Sequence, residues 1–201
     1  DVPVDWLGRL VATLKAFPKA GVAGSRIVDP LRLPTLQYGG VFIDVAEEDN
    51  LRVTCKHGNE TDYGQLSYIR SCVSVMGCCH LFRNAALYEV GEFDVRFSPT
   101  QVDDMEHDIR TVLKGYEVIY NGHNRVVHHQ KTGKQSILNR AAKGNVDANV
   151  LKMITKHPVE EMRRIKFEAE ERDRQYLRHK ISELRAARML DGVRDVPFGI
   201  V

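Results

Sequence analysis

The sequence contains no apolar run that approaches the roughly 18–20 residues needed to cross a bilayer, and it does not start with a signal-peptide pattern. We therefore expect no transmembrane segment and a cytoplasmic location, at most at the cytoplasmic face of a membrane. An excess of one charge is also lacking, because 29 Lys and Arg against 27 Asp and Glu give a net charge of +2. This balance gives no reason to expect nucleic acid as a partner.

Cysteine is scarce and has no zinc-binding pattern. The chain has four cysteines, none at CxxC spacing: Cys55, Cys72, Cys78 and Cys79. The simplest interpretation is that they are buried, reduced thiols of a cytosolic protein. Redox or metal chemistry at these residues is the minor alternative.

The remaining composition is that of a globular α/β chain. It is 43% hydrophobic and 28% charged, in a length that suits one domain with an appendage. Apolar periodicity predicts helices at 5–17 and 158–190, and a buried or alternating pattern predicts strands at 21–28, 116–120 and 125–128. We expect a turn at Asn121-Gly122 between the last two strands.

The densest chemical signal is the acidic segment Asp103–Arg110. It holds four carboxylates and a histidine within six positions at a predicted helix start. Such density is costly unless it binds a metal, a proton in transit or a polar substrate. The structural alternative is a well-capped surface helix. In it, Asp103-x-x-Glu106 forms a capping box and Glu106 pairs with Arg110.

Two features favour a functional site in this segment. Asp104 and Asp108 are four residues apart, so both flank the apolar stripe on the side that turns toward the protein body. The strand predicted after the helix ends in His128-His129, and imidazole with carboxylate is a reasonable ligand set for a divalent cation. We predict that the Asp104 carboxyl and the His128 imidazole converge on one pocket at the sheet edge.

Five segments follow one another in a characteristic order: DVPVDWL, GVAGSRIVDP, GCCHLFRNAALYEVGEFDVRF, DDMEHDIRTVLKGYEVIY and RVVHH. This order resembles the second half of the family 2 glycosyltransferases, over residues 1 to about 133. The resemblance implies a partial GT-A (nucleotide-diphospho-sugar transferase) fold, with a mixed sheet, flanking helices and a long C-terminal helix.

The same resemblance implies a division of the chain. Residues 1–133 would be the second half of a catalytic domain, 134–157 a basic linker, and 158–191 a charged amphipathic helix. A preceding half would bind the nucleotide base and carry the first acid of a DxD metal motif. We therefore expect a fragment of a larger enzyme that is inactive alone and at risk of homodimerisation through the exposed sheet edge or the C-terminal helix.

The resemblance also implies roles for single residues. Asp104, six positions before Arg110, matches the catalytic base that takes the proton of the acceptor hydroxyl. Asp1 falls at the last acid of the DxD motif and would ligate Mn²⁺ or Mg²⁺ together with His128. Substrate contacts are expected from a further set: Asp103, Glu106, Arg110, Gly77, Cys78, Lys131 and Lys134.

The implied reaction is an inverting, metal-dependent sugar transfer. The donor would be a nucleotide-sugar, and the acceptor a hydroxyl of a saccharide, a lipid-linked sugar or a protein. A cation would offset the charge of the departing nucleoside diphosphate. The alternatives are a non-catalytic saccharide- or partner-binding module derived from a GT-A domain and a metal-dependent hydrolase that uses the Asp, Glu and His cluster.

Overall fold

The computed structural model describes residues 1–30, 33–45, 51–55, 60–98, 102–129 and 140–186. Within these ranges the helices are α1 (Trp6–Ala16), α2 (Asn84–Val90), α3 (Asp103–Leu113), α4 (Arg140–Lys156) and α5 (Val159–Ala186). The strands are β1 (Ala20–Val28), β2 (Leu36–Tyr38), β3 (Val41–Val45), β4 (Leu51–Cys55), β5 (Ile69–Cys72), β6 (His80–Phe82) and β7 (Glu117–Val127).

A mixed sheet organises the domain. Its order is β2-β1-β7-β5, and β6 also pairs with β1. Strands β1 and β7 run parallel, whereas β2 and β6 are antiparallel to β1 and β5 is antiparallel to β7. Strands β3 and β4 form a separate antiparallel pair. The predicted α/β class with a mixed sheet and a long C-terminal helix is confirmed.

Both faces of the central strands are covered, which explains why all nine residues of β1 are buried. On one face, Val22 and Val28 join a core to which α3, α4 and α5 contribute. On the other, Ala23 and Ile27 pack with Leu10 and Leu14 of α1. This alternation is the period of two that a strand requires.

The predicted turn at Asn121-Gly122 is wrong, because β7 runs through it as one strand. Asn121 pairs with Ser25 and Arg125 pairs with Arg26, so residues 122–124 form a bulge opposite no residue of β1. The polar side chains that suggested a turn are bonded inside the protein. Asn121 Nδ2 donates to Thr13 Oγ1 at 2.8 Å, and Asn124 Nδ2 donates to Ser25 Oγ at 2.9 Å.

Part of the segment expected as a basic linker, 134–157, is helix α4. Its sequence has few large apolar residues, but Met153 is fully buried in the core. Asn149 is also buried, and its Nδ2 donates to the Phe97 carbonyl at 2.6 Å. Together with other apolar residues of α4 that pack on the same core, these two residues dock the helix on the domain, and such tertiary contacts override a weak periodic signal.

Helix α5 packs against the sheet through Met162, Ile165 and Ala169. Two charged residues that interrupt its apolar stripe contact β5. Arg172 Nε lies 3.4 Å from Ser71 Oγ, and Asp173 Oδ2 lies 3.3 Å from Arg70 Nη2. No helix within the described ranges has both the length and the apolar character required to span a bilayer.

The close approach of Val75 to β1 gives a test of the packing. A Cβ added to Gly24 would lie 2.4 Å from the Val75 Cβ, whereas one added to the exposed Gly8 in α1 would meet nothing within 4 Å. We expect Gly24→Ala to lower the free energy of unfolding by about 1–3 kcal/mol. Gly8→Ala should instead raise it by about 0.5–1 kcal/mol. Urea unfolding measures both, and an equal effect of the two variants would contradict the packing described.

Candidate active site at the start of helix α3

Helix α3 begins with a strained residue. Val102 precedes the helix with φ 75° and ψ −14°, a left-handed conformation that is rare for a β-branched side chain. Its carbonyl accepts the Glu106 amide at 2.8 Å, and no side chain caps the helix. The predicted capping box from Asp103 to Glu106 is therefore not formed. Strain of this kind persists only where the surrounding structure holds it, and it is common at functional sites.

The Asp104 carboxylate is half-buried and held by two backbone amides. Oδ2 accepts the Gly77 N–H at 2.8 Å, and Oδ1 accepts the Met105 N–H at 2.8 Å. Gly77 and Cys78 beside it are exposed, so the carboxylate is oriented by the protein yet open to a ligand. A Cβ on Gly77 would lie 2.8 Å from Asp104 Oδ2, so this contact leaves little room for a side chain at position 77.

Asp108, one helical turn further on, is fully buried and faces the same loop. Its Oδ2 accepts Ser74 Oγ at 2.8 Å and the Val75 N–H at 3.0 Å, and His80 Nε2 lies 3.5 Å away. Burial raises the pKa of Asp108 to about 6, although His80 and the two hydrogen bonds act in the opposite direction. Asp104 and Asp108 thus bind the two ends of the segment 74–77.

A second polar cluster lies where β1 and β7 end. Asp1 pairs with the end of β7, since its carbonyl accepts the Val127 N–H at 2.8 Å. The Asp1 carboxylate contacts His129 Nε2 at 3.0 Å. His128 is half-buried and bonds through Nδ1 to Gln37 Oε1 at 2.9 Å. Burial, together with the neighbouring Asp1 amino group and His129, lowers the pKa of His128 against the opposing charge of Asp29.

The Cys78 thiol interacts with a charge of each cluster. Desolvation by surrounding protein, followed by the proximity of Cys79 and the Asp104 carboxylate, raises the pKa of Cys78 to about 12, and the Asp1 amino group opposes the shift. Cys78 is therefore within electrostatic reach of both Asp104 and Asp1. It is also exposed, whereas Cys72 and Cys79 are buried free thiols as the sequence suggested.

The cation site expected from the sequence would be built from Asp1 and His128. They contain no group of three or more His, Cys, Asp or Glu side chains placed to hold a metal. Asp1 nevertheless offers a carboxylate at the same end of the sheet as His128. Gln37 holds one ring nitrogen of His128, which is the support that metal-bound imidazoles commonly have. Asp1 and His128 therefore fit part of a divalent-cation shell.

Glu106 is a buried ionic centre that joins α3 to α4. The predicted pair with Arg110 is confirmed, with Arg110 Nε at 3.0 Å from both carboxylate oxygens. Lys156 Nζ lies 2.6 Å and His157 Nε2 lies 3.2 Å from Glu106 Oε1. Burial acts to raise the pKa of Glu106, but hydrogen bonds from His157, Lys156 and Arg110 outweigh it and lower the pKa to about 2.

Arg110 also fastens the turn after α2 to α3. Its Nη1 donates to the Val90 carbonyl and its Nη2 to the Glu92 carbonyl, each at 2.8 Å. His107 supports the same turn, since its ring stacks on Phe93 with centroids 4.6 Å apart. These contacts favour a structural contribution from Glu106 and Arg110. The half-buried Asp103 neighbours Asp104, whereas Lys131 and Lys134 lie outside the described residues.

A groove of about 480 Å³ lies between residues 96–97 and α4. It is lined by Arg96, Phe97, Leu151, Lys152, Thr155 and Lys156. Both lysines already have protein partners, because Lys152 Nζ donates to the Arg96 carbonyl at 2.7 Å and Lys156 contacts Glu106. The groove contains none of the residues that the sequence selected.

Comparison with known proteins identifies the fold of the chain. No family model and no curated protein matches the chain. The crystal structure of GalNAc-T7 with UDP, GalNAc and Mn²⁺ is similar, with a TM-score of 0.51 and 12% sequence identity. The match covers 78% of this chain but only 30% of that chain. The chain therefore has a partial GT-A-like glycosyltransferase fold, and it spans less than a third of the protein it resembles.

The buried Glu106 gives a pH-dependent test of the site's framework. Because its pKa falls from 4.5 to about 2 on folding, its ionic contribution is complete above pH 4.5 and is lost as the pH falls toward 2. We expect Glu106→Gln to cost about 3 kcal/mol at pH 7 and progressively less at pH 4 and pH 3. The exposed Glu160→Gln should change stability by no more than about 0.5 kcal/mol. Chemical unfolding at each pH measures the stability of both variants. A stability loss in Glu106→Gln that is the same at all three pH values would contradict the ionic role of Glu106.

Proposed function

We propose that this chain is the second half of an inverting, metal-dependent glycosyltransferase of family 2. The observation that supports it best is the Asp104 carboxylate, oriented by the Gly77 amide on an open surface. The charges of Asp104 and of the Asp1 amino group both act on the Cys78 thiol, so the two clusters are within electrostatic reach of one residue. That the Asp104 base and a metal shell at Asp1 and His128 converge on one pocket stays part of this proposal. The GT-A-like fold agrees with the proposal at the coarser level of a glycosyltransferase.

In the proposed reaction, Asp104 accepts the proton of an acceptor hydroxyl. The hydroxyl oxygen forms a bond to the anomeric carbon of the donor sugar from the face opposite the diphosphate. The bond from that carbon to the diphosphate oxygen breaks, and its electron pair leaves with the nucleoside diphosphate. A single displacement of this kind inverts the anomeric centre.

The other residues would bind and orient the substrates. Asp1 and His128 would hold Mn²⁺ or Mg²⁺, which when bound offsets the negative charge of the leaving diphosphate. Lys131 and Lys134, which follow β7 in the sequence, would add positive charge. Asp103, Gly77 and Cys78 would contact the sugar or the acceptor. Glu106 and Arg110 would contribute by fixing α3, as their protein partners indicate.

The partners in this proposal are a nucleotide-sugar donor and a saccharide, lipid-linked or protein acceptor, met in the cytoplasm. GalNAc-T7 was crystallised with UDP, GalNAc and Mn²⁺, which supports a nucleotide and a divalent cation as ligands of this fold. Homodimerisation stays a prediction of the sequence. So does the need for a nucleotide-binding half to complete the site.

The role of Asp104 can be tested by Asp104→Asn in the complete enzyme. We expect transfer to fall by at least about 100-fold, because the amide cannot take the acceptor proton. Donor affinity should change by less than about threefold. Asp5→Asn, which removes only a surface contact to Arg9, is the matched control and should keep full activity. Product formation and release of nucleoside diphosphate are the measurements.

The outcomes of this experiment separate the proposed function from its alternatives. Full turnover in the Asp104→Asn variant would defeat the assignment of the base. Binding of donor or saccharide without turnover in the unmodified enzyme would favour a non-catalytic module. Metal-stimulated release of sugar or phosphate without an acceptor would favour a hydrolase.

Gly77 offers an independent test of the carboxylate's position. In Gly77→Ala the new Cβ would meet Asp104 Oδ2 at 2.8 Å and displace it. We expect turnover to fall about 10–100-fold, because small misplacements of a reacting group are costly. Stability should change little, because residue 77 is exposed and the end of the Asp104 side chain can move away from the new methyl group. Activity and thermal unfolding are measured together, and unchanged turnover in a folded variant would rule out this contact as an orienting one.

A further inference from the structure

Burial destabilises the charged form of Asp108, and the proposed reaction does not use this residue. It is fully buried, and its Oδ1 has no hydrogen-bond partner among the described residues. An ionised carboxylate in such surroundings is destabilised unless its other contacts compensate. Those contacts all converge on Oδ2, from Ser74, Val75 and His80.

The segment Ser74–Gly77 connects the hydrogen-bond partners of Asp108 to Gly77, the partner of Asp104. Ser74 to Gly77 are consecutive, with Asp108 bound at residues 74 and 75 and Asp104 bound at residue 77. The segment is confined on its other sides. Val75 lies directly over Gly24, and the Ser74 carbonyl accepts the Tyr38 hydroxyl at 3.0 Å. These contacts fix residues 74 and 75. Because Gly77 follows only two residues later, we expect a shift of residues 74 and 75 to move the Gly77 amide.

We propose that Asp108 is a positioning residue for Asp104, acting through the Ser74–Gly77 segment. By accepting hydrogen bonds from Ser74 and Val75, its carboxylate fixes the Gly77 N–H, and that N–H in turn fixes Asp104 Oδ2. The coupling between the two carboxylates is a property of the fold alone. Its meaning for catalysis rests on the proposed function, in which Asp104 is the base.

Protonation of Asp108 weakens this hold, because a neutral carboxyl is a poorer acceptor than a carboxylate. Burial places the pKa of Asp108 near 6, so the change falls between pH 5 and 7. The groups that face Asp108 are His80 of β6, the Cys72 thiol of β5 and Asp104 on its own helix. The charge of His80 opposes the effect of burial on the pKa of Asp108, whereas the charge of Asp104 adds to it.

The coupling can be measured on the 201-residue chain by NMR with ¹⁵N-labelled glycine, which gives a spectrum of fifteen glycine amides. Gly77→Ala identifies the Gly77 signal. We expect the Gly77 amide shift to follow a step with a midpoint near pH 6, and Asp108→Asn to abolish that step. Asp103→Asn, a matched change on the same helix, should leave it in place. A Gly77 signal without a step between pH 5 and 7, or a step that survives in Asp108→Asn, overturns the proposal.

A second variant keeps the test decisive if Asp108→Asn does not fold. Ser74→Ala removes one donor to the ionised carboxylate and leaves the charge in place. We expect it to raise the midpoint of the Gly77 step, because a hydrogen bond that favours the charged form is lost. An unchanged midpoint in this variant counts against the coupling.

The catalytic meaning is tested separately in the complete enzyme. We expect Asp108→Asn to lower kcat about 10-fold while KM changes less than about twofold, since the substrate is not contacted. An unchanged kcat overturns the positioning role even if the NMR coupling is present. If the unmodified enzyme transfers no sugar at all, the proposed function fails, whereas the NMR result on Gly77 still stands or falls by itself.

Discussion

Helix α3 is held in place by its carboxylates, and the rest of the site depends on that attachment. Asp104 and Asp108 share one face and bind the loop 74–77, whereas Glu106 faces α4 and binds Lys156 and His157. Two of these three acids are fully buried, so each must keep its partners or leave a charge unpaired. A rotation of the helix that helped one contact would break another. The acidic composition that makes the segment conspicuous is thus also what fixes its orientation.

The sheet carries the cluster around Asp1 and His128 at one end of the domain. β1 and β7 are parallel, and the cluster around Asp1 and His128 lies where both strands end, the edge at which open α/β sheets commonly bind ligands. The bulge at residues 122–124 matters here because its odd number of residues exchanges the faces of β7. Without it, Val126 could not join the same core face as Ile119. The bulge therefore keeps the core continuous up to the strand end that carries His128.

The local patterns of the sequence predict the helices and strands well, but they predict the contacts between distant side chains poorly. The pair Glu106–Arg110 follows from a spacing of four on one helix, so it is predictable and confirmed. The contacts of Glu106 with Lys156 and His157 join residues about fifty positions apart, and no periodicity encodes them. For the same reason no periodicity predicts the contact of the Asp1 carboxylate with His129. Helix α4 was missed because it has few large apolar residues, and because the hydrogen bond that holds its buried Asn149 is encoded by no periodicity.

Burial separates the acids of α3 into different kinds of residue, and this separation holds for any chemistry at the site. Glu106 and Asp108 have no exposed surface, so neither can contact a substrate without unfolding its surroundings. Asp104 is half-buried and ends at the exposed residues Gly77 and Cys78, so it can meet a ligand while its orientation stays fixed. A transferase, a hydrolase or a saccharide-binding module built on this chain would each have to use Asp104 in preference to the other two. The buried pair then holds in place the helix that carries Asp104.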